Sequence, residues 1–369
     1  MKSTTKITAG LIAFLILTSC STVKTEDTTS AESTVVEETT EVTRETTEET
    51  TATEETTTVK ESHYTYDPYC TSEMLDQVYG EKRHDAYISL VDAAMNGRHE
   101  FECEDQDTFD WMIYQYPYQS CPVLSQYYDG FSDPTLVVGG KLGLKFTISD
   151  EEFAEKNEEF KDLVEGILNE VFEDDYTDFE KALALYLYFC TPGNFVYDYD
   201  MVNNPEALDY LSIYRVLTER KGICQDLSLT YSYLLRQAGV EAGVVSGQRG
   251  YDGELHQWSL VRINGKYYQV DPTYALNTSG DLQYFLMDDD AREACDDYGR
   301  DQWTYVDYYS ILSEFDVSVF KSDDKRFSEL WKGSYATFSP DTKMIQCSAL
   351  NEDTGFYEIT ELDYSELEK

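Results

Sequence analysis

The dipeptide Asn264-Gly265 lies between two strand-like runs and constrains the fold of this chain more than any other short segment. Asn-Gly favours a two-residue hairpin turn, because both residue types tolerate the positive φ angles that such a turn requires. A two-residue loop pairs Ile263 with Lys266 and so fixes the register of both strands. The segment is therefore predicted to form an antiparallel β-hairpin.

The predicted register places a histidine beside a carboxylate. His256 falls opposite Thr273 and Trp258 falls opposite Asp271, with all four side chains on one face of the sheet. His256 and Asp271 then become diagonal neighbours, about 7–8 Å apart between Cβ atoms, and one hydrogen bond can span that gap. A register shift of one residue would send Asp271 to the opposite face.

An amphipathic helix is predicted just before the hairpin. Its apolar face recurs at helical spacing through Leu227, Thr230, Tyr231, Leu234, Leu235 and Ala238. Gly239 follows at the position where a glycine commonly ends a helix, and Lys221-Gly222 forms a turn before it. Cys224 is therefore predicted at the helix N-terminus, where free N–H groups and the helix dipole stabilise a thiolate.

The three side chains together indicate nucleophilic catalysis. A buried structural cysteine would fit the position of Cys224 equally well, and an ordinary strand histidine would explain His256 taken alone. An aspartate beside an imidazole fixes its tautomer and orientation, and an imidazole beside a thiol generates a thiolate–imidazolium pair. We therefore predict a catalytic triad of Cys224, His256 and Asp271.

Five sequence blocks in order resemble the transglutaminase-like superfamily, over about residues 175–290. They are residues 222–228 (GICQDLS), 234–240 (LLRQAGV), 245–247 (VSG), 256–259 (HQWS) and 268–273 (YQVDPT), with 195–198 (FVYD) upstream and 284–286 (YFL) downstream. The resemblance implies an α+β fold with a papain-like core, in which the nucleophile helix packs on an antiparallel β-sheet.

The resemblance also implies a role for each site residue. Cys224 would be the nucleophile, His256 the general base and acid, and Asp271 the orienting residue. The family often has an aromatic residue just before the aspartate, whereas this chain has Val270, a departure that affects packing more than chemistry. The backbone N–H of Cys224 is the first candidate oxyanion donor, and Tyr197 is the second.

The implied reaction is attack on a protein or peptide amide with formation of a thioester. Water as the acceptor gives peptidase or amidase activity, and an amine gives crosslinking. The triad serves both, and bacterial members of the superfamily favour hydrolysis, with a cell-wall peptide as one candidate substrate. A catalytically idle surface adhesin or scaffold that retains the fold is the alternative function.

The rest of the folded part reads as mixed helix and strand. Helices are predicted at residues 74–96, 150–172 with a cap at Ser149 or Asp150, and 178–189, and a strand pair is predicted around Gly139-Gly140. We divide this part into an N-terminal accessory region (63–148), a catalytic domain (149–300) and a β-rich C-terminal extension (301–369).

The first 62 residues are predicted to export and tether the protein. Residues 1–20 have a basic start and a short apolar stretch, which is typical of a signal peptide. They end in Leu-Thr-Ser-Cys, which resembles the lipobox of bacterial lipoproteins and implies lipidation of Cys20, with the protein on the outer face of the cell membrane. The Thr/Glu-rich residues 21–62 cannot bury enough apolar surface to order and are predicted to be a disordered linker.

Charge and residue spacing exclude several other functions. The chain carries 72 acidic and 28 basic residues, a net charge of −44, of which −37 falls on residues 63–369, so nucleic-acid binding is excluded. The four histidines and eight cysteines show no zinc-site spacing, and we predict no cofactor. Calcium is a possibility by family analogy only, and the acidic run Asp288-Asp289-Asp290 is expected to be solvated surface. Six cysteines other than Cys20 and Cys224 leave any disulfide pairing open.

Overall fold

Helices and strands mix throughout the part of the chain that the computed structural model describes, which is residues 64–129, 136–137, 140–204, 212–295, 297–306 and 316–368. The α-helices of this part are α1 (Glu73–Tyr79), α2 (Glu81–Met95), α3 (Gln106–Ser120), α4 (Pro122–Tyr127), α5 (Asp150–Val171), α6 (Asp178–Cys190), α7 (Tyr199–Val202), α8 (Ile213–Glu219), α9 (Cys224–Gln237) and α10 (Asp289–Ala294). The β-strands are β1 (Glu100–Glu102), β2 (Leu136–Val137), β3 (Lys141–Gly143), β4 (Val196–Tyr197), β5 (Lys221–Gly222), β6 (Ala242–Gln248), β7 (Leu255–Ile263), β8 (Lys266–Val270), β9 (Thr304–Tyr305), β10 (Gly333–Ser339), β11 (Met344–Asn351) and β12 (Phe356–Asp363). The predicted α+β class is confirmed.

The predicted helix starts are set by side-chain caps. The Ser149 hydroxyl accepts a hydrogen bond from the Glu152 N–H and begins α5. Thr177 and Glu180 cap one another's backbone N–H groups and begin α6. The helix predicted over residues 74–96 is instead two helices, α1 and α2, because Gly80 between them adopts a φ of 80° that ends the first one.

A four-stranded antiparallel sheet with the strand order β8-β7-β6-β9 carries the predicted hairpin. Two further antiparallel sheets have the orders β1-β3-β2 and β10-β11-β12. The β2–β3 pair matches the predicted strand pair, although Gly139 lies outside the described residues. Strands β4 and β5 pair in parallel, with Tyr197 opposite Gly222. The predicted turn at Lys221-Gly222 is therefore wrong, because these two residues form β5 and pair with β4. This pairing brings β4 beside the segment that leads into Cys224.

The hairpin register is confirmed up to the end of β8. Asn264 and Gly265 have φ angles of 50° and 77°, and the paired residues run from Ile263–Lys266 to Ser259–Val270. The predicted pairs of His256 with Thr273 and Trp258 with Asp271 are wrong as ladder pairs, because β8 ends at Val270.

The reason for this early end is the proline that follows Asp271. Pro272 has no N–H to donate to a ladder, and the Asp271 N–H donates instead to the Tyr284 carbonyl at 2.9 Å. The chain therefore turns away from β7 at the position where the aspartate side chain is presented.

Helix α9 lies at the centre of the core. Every residue from 226 to 237 is buried, so the helix is covered on all sides rather than on the single apolar face that its sequence predicts. Serine side chains let it approach the sheet closely: the Ser232 hydroxyl donates to the Gly243 carbonyl at 2.8 Å and contacts the Ser259 hydroxyl at 3.1 Å. Helix α9 therefore packs on the antiparallel sheet as expected.

One hydrophobic cluster joins residues from Met74 to Tyr364. A hydrogen bond also joins α6 to the C-terminal region, because the buried Glu180 accepts from the Tyr364 hydroxyl at 2.6 Å. The described residues lie in one compact unit, and the boundaries that we draw within it remain predictions.

The predicted signal peptide, Cys20 and the linker lie outside the described residues. Within the described ranges, no helix combines the length and apolar character that a membrane span requires.

Candidate active site

Cys224 is the first residue of α9, as predicted, and its side chain is partly exposed. The preceding residue, Ile223, has an extended backbone, so the helix begins abruptly at the cysteine. The N–H groups of the first helical turn have no acceptor within their own helix, and they create a positive potential at this end. The site thus presents a partly exposed thiol at the N-terminus of a helix.

Asp226 fixes the backbone just before the cysteine. Its Oδ1 accepts a hydrogen bond from the Ile223 N–H at 2.6 Å, and the side chain is fully buried. Gly222 makes room for it, since a Cβ at that position would lie 2.7 Å from the same oxygen. Burial raises the pKa of Asp226 to about 7, although Arg215 lies 3.6 Å away and opposes this rise.

His256 enters the site from β7, where it pairs with Gly247 of β6. Its Nε2 lies 2.7 Å from Oδ2 of Asp271, which confirms the predicted contact between the two side chains. The aspartate accepts the Nε2 proton, so Nδ1 is the ring nitrogen left to face the thiol of Cys224. The predicted neighbours are therefore brought together although their strands are no longer paired at this point.

The imidazole is buried, with 4% of its surface exposed. Burial alone would lower the pKa of His256, but the Asp271 carboxylate and the nearby Cys224 outweigh it and raise the pKa to about 9. The protonated imidazole is thus the stable form near neutral pH, as a thiolate–imidazolium pair requires.

Asp271 is fully buried and satisfied on both oxygens. Its Oδ1 accepts hydrogen bonds from the backbone N–H groups of Thr273 and Tyr274, both at 3.1 Å. Burial acts to raise the pKa of Asp271, but His256 and Arg292 outweigh it and hold this pKa below the usual value. The carboxylate is therefore ionised and rigidly oriented toward the imidazole.

Aromatic rings enclose the imidazole. Tyr274 stacks on it with ring centroids 4.9 Å apart, and Tyr298 and Trp258 lie at 5.4 and 5.9 Å. Gly247 leaves space for this wall, because a Cβ there would lie 2.7 Å from the Trp258 ring. The rings exclude water from the His256–Asp271 contact, which strengthens the electrostatic interaction between them.

The sequence did not predict a place in the site for Arg292, Gln269 or Asp289. Arg292 lies 3.4 Å from Oδ2 of Asp271, and the chain Trp258–Gln269–Asp289 links the sheet to α10 through hydrogen bonds of 2.7 and 2.8 Å. The only sequence signal was a run of acids followed by an arginine, which is typical of a capped helix start.

The expectation that Asp288-Asp289-Asp290 is solvated is wrong for two of the three aspartates. Asp288 and Asp289 are buried, at 2% and 3% exposure, and only Asp290 is exposed. Asp288 caps α10 by accepting the Ala291 N–H at 2.7 Å, and Asp289 accepts from Gln269. These acids are structural because they fix a short helix against the sheet.

In the described part of the chain, no group of three or more histidine, cysteine or acidic side chains is placed to hold a metal ion. Six described cysteines are free thiols: Cys70, Cys103, Cys121, Cys190, Cys224 and Cys347.

Comparison with known proteins supports the resemblance seen in the sequence. Residues 165–272 match the model of the Transglutaminase-like superfamily, so this part of the chain is a transglutaminase-like domain. The matched range contains Cys224, His256 and Asp271 and ends before Arg292. No curated protein matches the chain.

Two solved structures are similar to it over part of their length. A candidate cysteine protease from Cytophaga hutchinsonii is 20% identical over 34% of this chain and 40% of its own, with a TM-score of 0.26. A TGase is 17% identical over 38% of this chain and 43% of its own, with a TM-score of 0.28. The chain thus spans less than half of either protein.

Proposed function

We propose that the transglutaminase-like domain at residues 165–272 is the catalytic part of a cysteine-nucleophile enzyme that acts on protein or peptide amides. The observation that carries the proposal is the buried 2.7 Å contact between His256 and Asp271, next to a partly exposed thiol at a helix start. A packed core does not need this combination, because burying an ionised pair costs free energy.

The proposed reaction begins with attack of the Cys224 thiolate on the carbonyl carbon of the amide. The His256 imidazolium donates its proton to the departing nitrogen, and the C–N bond breaks to leave a thioester on Cys224. An acceptor then gives a proton to His256 and attacks the thioester, which releases the product and restores the starting pair. Asp271 keeps the imidazole aligned throughout, since its own position is fixed by two backbone N–H groups.

The oxyanion formed in each step needs donors in place before reaction. The N–H of Cys224 is the first candidate, because it belongs to the free N–H groups that begin α9. Tyr197 is the second, since β4 places it opposite Gly222, two residues before the nucleophile. Each donor of this kind contributes about 3–4 kcal/mol to stabilising a transition state.

Water is the acceptor that we favour, which makes the protein a peptidase or amidase rather than a crosslinking enzyme. The preference comes from the sequence resemblance, and the triad itself serves both acceptors. With lipidation at Cys20 and the 21–62 linker as a spacer, the enzyme would work at the outer face of the cell membrane, where cell-wall peptides are one candidate substrate.

The second candidate function is a catalytically idle adhesin or scaffold. One observation favours it: strands β11 and β12 expose Leu350, Tyr357 and Ile359 on one face, at 51%, 71% and 70% exposure. Exposed apolar patches of this kind mark binding surfaces. An adhesin or scaffold function, however, gives no role to the buried contact between His256 and Asp271.

Peptide turnover tests the proposal and separates the acceptors. The protein is incubated with a glutamine-containing peptide, with and without a primary amine, and the products are identified by mass. We expect hydrolysis products in both cases and their loss in C224A. The matched control is C70A, which removes another partly exposed cysteine and should keep full activity. Full activity in C224A would overturn the proposal, and an amine adduct as main product would instead assign crosslinking.

A further inference from the structure

Arg292 is a fully buried charged residue that lies outside the matched superfamily range. Arginine is rarely buried without a partner, because removing its charge from water costs several kcal/mol. The partners of Arg292 therefore indicate the role of this buried charge.

The charged partner of Arg292 is the orienting carboxylate of the site. Its Nη2 lies 3.4 Å from Oδ2 of Asp271, the same oxygen that contacts His256. The guanidinium also lies over the Trp258 ring, 4.2 Å from its centroid, and 5.0 Å from that of Tyr298. Arg292 thus contacts Asp271 while its guanidinium packs against two of the rings that enclose the imidazole.

Helix α10 holds this arginine in place by contacts that do not involve the triad. Asp288 caps the helix, and Asp289 accepts a hydrogen bond from the Gln269 side chain, whose Oε1 in turn accepts from the Trp258 indole N–H. The ring under the guanidinium and the helix that carries it are therefore tied together. Such support is typical of a side chain whose position matters for a site.

Charge balance explains why a cation is needed there. When the nucleophilic pair is formed, Cys224 carries a negative charge and His256 a positive one, and Asp271 adds a second negative charge. Arg292 makes the total zero in a region where uncompensated charge is costly. A site without it would hold one excess negative charge and would take up a proton more readily.

Other ionisable groups surround the same pair. Tyr186 of α6 lies near Asp271, and Tyr274 and Tyr298 lie against the imidazole. Burial raises the pKa of Tyr186 and Tyr298 above their usual value, so neither supplies charge near neutral pH. Arg292 is thus the positive group that the described structure places against Asp271 besides His256.

We propose that Arg292 is a positioning residue that holds the Asp271 carboxylate toward His256 and, through its positive charge, sets the pH range in which the Cys224–His256 pair is reactive. The inference rests on the proposed function, because it assigns a role within the same site.

The test measures the rate of Cys224 alkylation by iodoacetamide against pH in the full-length protein. R292Q removes the charge and keeps a planar polar head over Trp258, whereas R292K keeps the charge and loses the planar stack. Removing a positive charge makes protons bind more tightly, so R292Q should move the midpoint of the profile upward by about one pH unit. Below the midpoint its rate should fall about tenfold. R292K should stay close to the parent.

Arg236 provides the matched control. It is also a buried arginine, on the same helix as Cys224, but it donates to the Ala242 and Gln119 carbonyls and does not contact the triad. R236Q should lower stability and leave the alkylation midpoint unchanged. A parental profile in R292Q, or an equal displacement in R292Q and R292K, would show that Arg292 acts by packing alone and would overturn the proposal. If R292Q does not fold, the R292K profile tests the proposal alone. A displaced alkylation profile in R292K, which keeps the positive charge, would contradict the proposal.

Ring titration of His256 by NMR separates this inference from the proposed function, because it needs neither a substrate nor a reactive thiol. The chain has four histidines, and H256Q assigns the relevant signal. We expect the His256 midpoint to rise in R292Q relative to the parent even if no amide is ever turned over. An unchanged midpoint would overturn the role of Arg292 while leaving catalysis by Cys224 possible.

Discussion

Two buried aspartates near Cys224 each lie beside an arginine, and they differ in their ionisation. Asp271 lies 3.4 Å from Arg292 and has a pKa below its usual value, whereas Asp226 lies 3.6 Å from Arg215 and has a pKa raised to about 7. Both aspartates are fully buried, so burial does not explain the difference.

The difference lies in the other partners of each pair. Asp271 has a second cation, His256, and accepts two backbone N–H groups. Arg215 is shared with Asp198, which it contacts more closely, and with Glu219 at 3.4 Å. A carboxylate stays ionised in a dry environment only when several donors converge on it, and this distinguishes a carboxylate built for charge from one built to cap a backbone.

The largest expected effect is that of D271N. The amide removes the negative charge and turns a donor toward Nε2 in one of its orientations, so the imidazole loses its tautomer and alignment. We expect amide turnover to fall on the order of 10³-fold or more in the protein that remains folded. Retained turnover in a folded D271N protein would remove Asp271 from the mechanism.

G222A should have the next largest effect. The added Cβ would lie 2.7 Å from Oδ1 of Asp226 and 2.8 Å from a Val216 methyl, so Asp226 must withdraw from the Ile223 N–H. We expect the free energy of unfolding to fall by about 1–3 kcal/mol, measured by urea titration. Turnover should fall as well, because the backbone that presents Cys224 shifts. G239A at the other end of the helix, where a Cβ meets no neighbour but φ is 82°, is the control and should affect stability alone.

The smallest effect is expected for D226N, which sharpens the comparison through pH. A side-chain amide oxygen can still accept the Ile223 N–H, so turnover should change by less than about threefold. The folded protein holds a proton on Asp226 up to about pH 7, whereas an unfolded aspartate releases it near 4. The contribution of Asp226 to stability is therefore full below about pH 4 and declines as pH rises toward 7.

The measurement is the free energy of unfolding of the parent minus that of D226N, determined by urea titration at several pH values across this range. The difference should fall as pH rises. A difference that rises with pH would mean that Asp226 is an ionised carboxylate like Asp271, and the contrast between the two pairs would be lost.

The sequence predicts those parts of the site that depend on local structure. The helix start at Cys224 and the turn at Asn264-Gly265 follow from neighbouring residues, and both are confirmed. The contact of His256 with Asp271 was predicted from strand pairing that in the structure ends at Val270. The contact still forms, because the chain turns at Pro272 while the Asp271 side chain points toward His256.

The other parts depend on tertiary packing and were missed. Arg292 reaches Asp271 only because α10 docks on β8 through Asp289 and Gln269, and no local pattern specifies that docking. For the same reason, Asp288 and Asp289 were wrongly predicted to be solvated, although Asp288 caps α10 and Asp289 contacts Gln269. A residue whose partner comes from a distant segment has no periodicity that could reveal it.

The central claim is that His256, held by Asp271, makes Cys224 a nucleophile. The most direct measurement is the alkylation rate of Cys224 in the parent and in H256Q. It is made at about pH 6, because a free thiol is largely protonated there. We predict that parental Cys224 reacts much faster than free cysteine and that H256Q reduces its rate to that of an ordinary thiol. Equal rates in the two proteins would contradict the account.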